Sequence, residues 1–150
     1  MTITVEQGIT IGPGVTVTTP PLSATANTTA QYYYVGTAVN NFMPLIATGG
    51  SGIYSYQISS GSLPVGLIYD PTNSTITGTP SNSQSASSVT YTVYDSVGYH
   101  AANTSTVSFT VYPTFTATAN TTPQLLETTV ATNFTPLLAT GGTGSYTYSY

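Results

Sequence analysis

Basic side chains are missing from this chain of 150 residues, which has no Lys, no Arg and a formal net charge of −4 at pH 7. Nucleic acids and anionic membranes are bound through Lys and Arg side chains that neutralise phosphates. The composition therefore argues against binding to DNA, RNA or an anionic membrane surface. Solubility must come from the hydroxyl and amide groups of Thr, Ser, Asn and Tyr, so the surface should respond little to salt.

Cysteine and long apolar runs are missing as well. Without Cys, the chain can form neither a disulfide framework nor a thiolate metal site. No stretch approaches the roughly 18 apolar residues of a membrane span. The opening, Met1 to Glu6, lacks the basic start and the apolar run of a secretory leader. This start favours a protein made and assembled in the cytoplasm, as virion parts are, over a chain whose leader has been removed.

Groups for acid–base catalysis are scarce, since the chain has one histidine, His100, and four acids, Glu6, Asp70, Asp95 and Glu127. A hydrolase triad, a pair of glycosidase carboxylates and a phosphoryl-transfer site each need more than these residues provide. His100 lies in a turn-rich stretch and is interpreted as a solvated loop residue. We predict that the chain is not an enzyme and has no catalytic residue.

Asp70 and Asp95 are the candidate ligands for a metal ion. Asp70 and Asp95 each precede a turn residue, and Asp favours such positions because its carboxylate bonds the nearby backbone. Calcium held between them is the alternative, but Ca²⁺ takes about six to eight oxygen ligands and clustered acids are missing here. We therefore predict turn capping, no metal site and no cofactor.

Strand and turn signals fill most of the chain, and no segment has a helical pattern. Val89, Tyr91 and Val93 alternate with polar residues, which is typical of a half-buried strand. Strands are predicted near residues 22–26, 31–38, 42–47, 53–59, 73–78, 88–95 and 105–112. The predicted core consists of Leu45, Tyr56, Ile58, Leu67, Ile76, Val89, Tyr91, Val93, Val107, Phe109 and Val111.

A family resemblance rests on three segments in a fixed order: Ser62–Leu67 followed by Asp70, then Ile76–Pro80, then Tyr91–Gly98. Together they resemble the Ig-like, cadherin-like sandwich repeat of bacterial and phage surface proteins, over roughly residues 21–112. The resemblance implies a seven-stranded β-sandwich used as a spacer or adhesive module, without a catalytic site. The fold class is predicted as all-β.

An internal repeat indicates a second unit of the same kind. Ala24–Thr29 recurs as Ala117–Thr122, and Phe42–Gly50 recurs as Phe134–Gly142, with a period of about 92 residues, the size of one sandwich. We predict a sandwich over residues 21–113 and the first part of a second one over 114–150. The natural chain is expected to continue as a longer rod; the alternative is that a neighbouring subunit completes the second unit by lending strands.

Residues 1–20, called here the anchor segment, contain three β-triplets separated by turns. So few residues cannot enclose a core, so their apolar face should pack on another chain, as a small β-prism with its own copies or as strands added to a neighbour's sheet. The segment resembles the Ile-Thr-Ile-Gly-rich openings of marine phage structural proteins; the alternative is that these are the first strands of the sandwich. The predicted assembly interface is Ile3, Val5, Ile9, Ile11, Val15 and Val17.

Two further features concern the surface. The run Tyr32-Tyr33-Tyr34 could be a carbohydrate-binding platform, but alternation sends Tyr33 one way and the other two rings the opposite way, so core or subunit packing is predicted for most of the tyrosines. Five Asn-x-Ser/Thr sites would carry glycan only if the chain were exported by an organism that glycosylates. They are Asn27, Asn73, Asn103, Asn120 and Asn133.

The missing lysines also bear on assembly, because soluble sheets often protect their edges with Lys. We expect a homo-oligomer, a trimer if the protein is a fibre, that contacts another virion or filament protein through residues 1–20. The first hypothesis is a non-enzymatic phage virion protein of fibre or decoration type on the virion surface, touching host glycans weakly. The second is a subunit of an extracellular prokaryotic filament or adhesin on the cell surface, assembled by strand complementation. The third is a carbohydrate-binding module of an extracellular enzyme.

Overall fold

A computed structural model describes residues 20–96, 104–121 and 135–149 of the chain. Across these three ranges the secondary structure is all β, as predicted from the sequence. The strands are β1 (Ser23–Ala26), β2 (Gln31–Tyr34), β3 (Val39–Phe42), β4 (Leu45–Thr48), β5 (Tyr54–Ser60), β6 (Leu67–Asp70), β7 (Thr75–Gly78), β8 (Gln84–Asp95), β9 (Ser105–Tyr112), β10 (Thr116–Ala119) and β11 (Leu137–Thr140).

The first nine strands form an Ig-like sandwich. One layer is a four-stranded sheet in the order β2-β9-β8-β5, and the other combines the three-stranded sheet β3-β7-β6 with the pair β1-β4. All pairings are antiparallel except that of β2 with β9, which is parallel. The first strand of the four-stranded sheet therefore lies beside the last strand of the domain and runs in the same direction.

The core between the layers comes from inward residues at every second position. Nine of the eleven predicted core residues are buried, and Tyr91 and Phe109 are the largest fully buried side chains. The other two, Ile58 and Leu67, are only half-buried, although they pack against the core. Both lie on strands at the edge of their sheets, β5 and β6, where fewer neighbours cover a side chain. The sequence reasoning missed the small core residues Ala24, Val39 and Ala47.

The prediction of one continuous strand at 42–47 is wrong, because β3 ends at Phe42 and β4 begins at Leu45. Asn41 has a φ of +49°, and Pro44, which is fully buried, has no N–H to donate to a ladder. The chain therefore changes partners: β3 pairs with β7, whereas β4 pairs with β1. The strand predicted at 31–38 likewise stops at Tyr34, before the turn at Gly36, and β6 was not predicted at all.

The segments that carry the family resemblance lie against each other, backbone to backbone. The Thr79 N–H donates to the Gly66 carbonyl oxygen (2.9 Å), and the Ser81 N–H donates to that of Val65 (2.9 Å). Gly66 and Gly78 both have positive φ, and a Cβ on Gly78 would lie less than 3.0 Å from the Gly66 oxygen. Only glycine fits at this crossing, which is a physical reason for the motif.

The sequence repeat is also a structural repeat. Strands β10 and β11 pair with the register of β1 and β4, so that Ala117 faces Ala139 as Ala24 faces Ala47. In each unit the Gly-Gly turn is also hydrogen-bonded to the segment that precedes the first strand of the unit. The Gly50 N–H donates to the Pro20 carbonyl oxygen (2.8 Å), and the Gly142 N–H donates to the Pro113 carbonyl oxygen (2.9 Å).

Candidate binding surface

The predicted assembly interface, Ile3, Val5, Ile9, Ile11, Val15 and Val17, lies outside the described residues, as do His100, Glu6 and Glu127. Those predictions stand as predictions. The described surfaces belong to the sandwich and to residues 114–121 and 135–149 of the second unit. Among the predicted Asn-x-Ser/Thr sites, Asn27, Asn73 and Asn120 are described, and all three are exposed.

Each of the two described acids is the last residue of a strand, Asp70 of β6 and Asp95 of β8. The Asp70 Oδ1 accepts the Thr72 N–H at 2.8 Å, the geometry of an aspartate that bonds the backbone two residues on. Asp95 is buried at the end of β8, where a Cβ on Gly50 would come within 3.0 Å of its Oδ2. Within the described ranges no three His, Cys, Asp or Glu side chains are grouped so that they could hold a metal ion.

The tyrosine run of β2 has the predicted alternation. Tyr33 points inward, with its ring centroid 6.3 Å from that of Phe109, and burial raises the pKa of its phenol. Tyr32 and Tyr34 point outward, with 61% and 40% of their surface exposed. Packing therefore accounts for the middle ring and leaves the two flanking rings available to solvent.

The half-buried Tyr112, at the end of β9, joins the two exposed rings. It stacks on Tyr32 with a centroid distance of 6.3 Å and an interplanar angle of 12°, and it lies 5.6 Å from Tyr34 at 39°. This contact follows from the parallel pairing, which places Tyr34 opposite Tyr112. Tyr112 was not predicted as part of this cluster, because only the strand register brings it to the run at residues 32–34.

Beside these rings a groove of about 380 Å³ separates β2 from β3. We call it the tyrosine groove; its lining includes Gln31, Tyr32, Tyr33, Tyr34, Asn40 and Asn41. Both strands are at the edge of their sheets, so the groove opens along one side of the sandwich. Asn40 and Asn41 were not predicted as site residues. They fall between the strands predicted at 31–38 and 42–47, and such a pair of amides, which strands disfavour, was a usable signal.

A second aromatic surface belongs to the second unit. Leu137 and Tyr148 are 37% and 58% exposed, whereas their equivalents in the first sandwich, Leu45 and Tyr56, are 0% and 6% exposed. The described part of the second unit therefore carries apolar side chains at positions whose equivalents form the core of the first sandwich. A cavity of about 400 Å³ there is lined by Phe115, Tyr146 and Tyr148, and also by Tyr34.

Comparison with known proteins agrees with this architecture. No helix in the described ranges is long and apolar enough to cross a membrane. A search of curated proteins finds no match to the chain. A family model described as "Putative Ig domain" matches residues 12–114, which is more than half of the sequence. Ig-like domains of this kind are generally non-catalytic and typical of surface or structural proteins, and this chain belongs to that family, He_PIG.

Proposed function

We propose that this chain is a non-enzymatic structural protein of a phage virion, of fibre or decoration type. The anchor segment fastens it to another virion protein, and the Ig-like units project outward from the virion surface. The family supports a surface or structural role. The virion assignment rests in addition on the β-triplets of residues 1–20 and on their resemblance to marine phage structural proteins.

The observation that carries the proposal is the tandem arrangement of two like units with a very short junction. Strand β9 ends at Tyr112 and β10 begins at Thr116. The junction is hydrogen-bonded to both units. The Pro113 carbonyl oxygen accepts the Gly142 N–H of the second unit at 2.9 Å, and the Thr114 Oγ1 donates to the Val35 carbonyl oxygen of the first unit at 3.3 Å. Repeated domains with short, hydrogen-bonded junctions suit a spacer, because such junctions restrict hinge motion.

The proposed partners follow from the charge of the chain and from the edges of its sheets. The protein would associate with its own copies, as a trimer in a fibre, because its sheet edges have no Lys to prevent pairing. It would not bind nucleic acid or a membrane, because the chain has no basic side chain.

The proposal is tested by locating the protein on native particles. Antibodies against the sandwich are applied to virions purified from infected cells that make this chain, and bound label is imaged by electron microscopy. Label should mark one part of the particle, and it should be absent from virions whose chain lacks residues 1–19. Unlabelled virions, or label that does not depend on these residues, would contradict the proposal.

We infer one other function that the internal repeat supports, a subunit of an extracellular filament or adhesin assembled by strand complementation. In that case the anchor segment of one copy would complete the second unit of the next and cover Leu137 and Tyr148. The test compares the full chain with a Leu137→Asp variant and with a chain lacking residues 1–19, by sedimentation. If either change alone abolishes long heterogeneous polymers, the filament is supported; if the full chain forms a closed oligomer insensitive to Leu137→Asp, it is excluded.

A further inference from the structure

We propose that the tyrosine groove binds a neutral carbohydrate. The inference is independent of how the protein is anchored, because every residue that carries it belongs to the first sandwich. At about 380 Å³ the groove lies at the small end of ligand sites, whose volumes run from about 300 to 1,000 Å³. Such a volume accommodates a short segment of a saccharide chain.

The exposed rings supply the apolar part of the site. Tyr32 and Tyr34 project from the same side of β2, and Tyr112 supports both through ring contacts. Rings that are already held by a neighbour lose little side-chain freedom when a ligand packs on them. The C–H faces of a sugar ring match an aromatic face of this kind, while the phenol hydroxyl remains available for a hydrogen bond.

Amide groups on the facing strand supply the polar part. Asn40 and Asn41 are exposed, and neither side chain hydrogen-bonds to a described residue. The register of β3 shifts between Val39 and Phe42, and Asn41 has a φ of +49° there. Irregularities of this type redirect side chains at functional edges. An amide both donates and accepts hydrogen bonds, as does each sugar hydroxyl.

A third amide in the groove is fixed by its neighbours. The Gln31 Nε2 donates to the Thr29 carbonyl oxygen at 2.9 Å, and its Oε1 accepts the Tyr33 hydroxyl at 3.1 Å. Because the contacts of Gln31 lie within the protein, it forms a wall of the site, and the free amides of the facing strand are the specificity groups.

The charge of the lining selects the ligand class. None of the lining residues is ionised at neutral pH, and the whole chain has no Lys or Arg to hold a phosphate, sulfate or carboxylate. No carboxylate lines the groove, so a cationic ligand would also lack a partner. What remains is a ligand with apolar faces and uncharged hydroxyl groups, which is the chemistry of a neutral saccharide.

The test is titration of the full chain with neutral tetrasaccharides of glucose, N-acetylglucosamine, mannose and galactose, followed by NMR. We expect at least one to shift the amide signals of β2 and β3, with a dissociation constant that is unchanged between about 50 and 500 mM NaCl. Tyr32→Ala and Tyr34→Ala should each weaken that binding about tenfold. Asn41→Gly, which keeps the positive φ but removes the amide, should weaken it several-fold.

The matched control is Tyr148→Ala, since Tyr148 is 58% exposed, much like Tyr32, but lies outside the groove. Its affinity should equal that of the unmodified chain. The proposal is overturned if none of the four saccharides binds, or if the Tyr32→Ala/Tyr34→Ala double variant binds normally. It is also overturned if a peptide of residues 1–19 occupies the groove and protects the amides of β2 and β3 from exchange, because the groove would then accept a strand.

Discussion

Two buried tyrosines of the core differ in a single hydrogen bond. The Tyr56 hydroxyl accepts the backbone N–H of Ala47 at 3.1 Å, which links the four-stranded sheet to β4 of the other layer. The Tyr91 hydroxyl is buried and has no hydrogen-bond partner among the described residues. The same chemical change, removal of a phenol oxygen, should therefore lower stability at position 56 but not at position 91.

Tyr56→Phe should lower the free energy of unfolding by about 1–3 kcal/mol, because it leaves the buried Ala47 N–H without an acceptor. Tyr91→Phe should leave stability unchanged or raise it by about 1 kcal/mol, because it removes a desolvated polar atom. Urea unfolding of both variants and the unmodified chain measures the difference. Equal destabilisation by the two substitutions would contradict the hydrogen-bond assignment.

The same phenols determine the response to alkaline pH. Desolvation by burial raises the pKa of Tyr33, Tyr69 and Tyr91 above the ordinary value of 10.0. Above about pH 10 the unfolded chain has lost these protons while the folded chain retains them, so the unfolded state binds fewer protons. Stability should therefore be at its full value below pH 10 and fall as pH rises beyond it, by up to about 1.4 kcal/mol per pH unit for each such group.

Urea unfolding across about pH 8 to 11.5 checks this expectation, with Tyr91→Phe as the comparison because it removes the most deeply buried of the three phenols. The variant should lose stability less steeply above pH 10. A slope that is the same in the variant would show that Tyr91 does not contribute.

At the scale of elements, the close backbone contact between Gly66 and Gly78 determines how the start of β6 packs against the end of β7. Gly78→Ala should cost more than about 3 kcal/mol, because its Cβ would collide with backbone and its φ is +113°. Gly52 is the matched control: its φ is +81°, but a Cβ there meets nothing within 4 Å. Gly52→Ala should cost only about 1 kcal/mol, the strain of the left-handed backbone alone. Thermal unfolding of the two variants separates backbone strain from collision.

The elements also show what the sequence could and could not reveal. Strands β8 and β9 were predicted from their alternation, because apolar residues at every second position fill the core while the residues between them are mostly polar. The break between β3 and β4 was missed, since a positive φ at a non-glycine residue leaves no periodic signal. In the candidate site, alternation predicted that Tyr32 and Tyr34 share one face of their strand, but not that this face is exposed. Tyr112 could not be predicted, because the strand register that brings it beside Tyr34 is a long-range property that local sequence patterns do not contain.

At the scale of the whole molecule, ionic groups are scarce, since charged residues make up 3% of the chain. Because the sequence offers no Lys or Arg to pair with its four acids, screening has almost nothing to act on. The free energy of unfolding should change by less than about 0.5 kcal/mol between 10 and 200 mM NaCl, within the usual range for surface effects. Urea unfolding at the two concentrations tests this, and a larger change would point to acids brought close together.

The parallel pairing of β2 with β9 has a mechanical consequence for a chain of such domains. Tension along the array pulls β2 from its N-terminal end and β9 from its C-terminal end, which are opposite ends of the pair. The hydrogen bonds from Gln31–Phe109 to Tyr34–Tyr112 are then loaded in shear, all at once, and cannot open one after another. A rod built this way would resist stretching under drag until that short ladder ruptures as a unit.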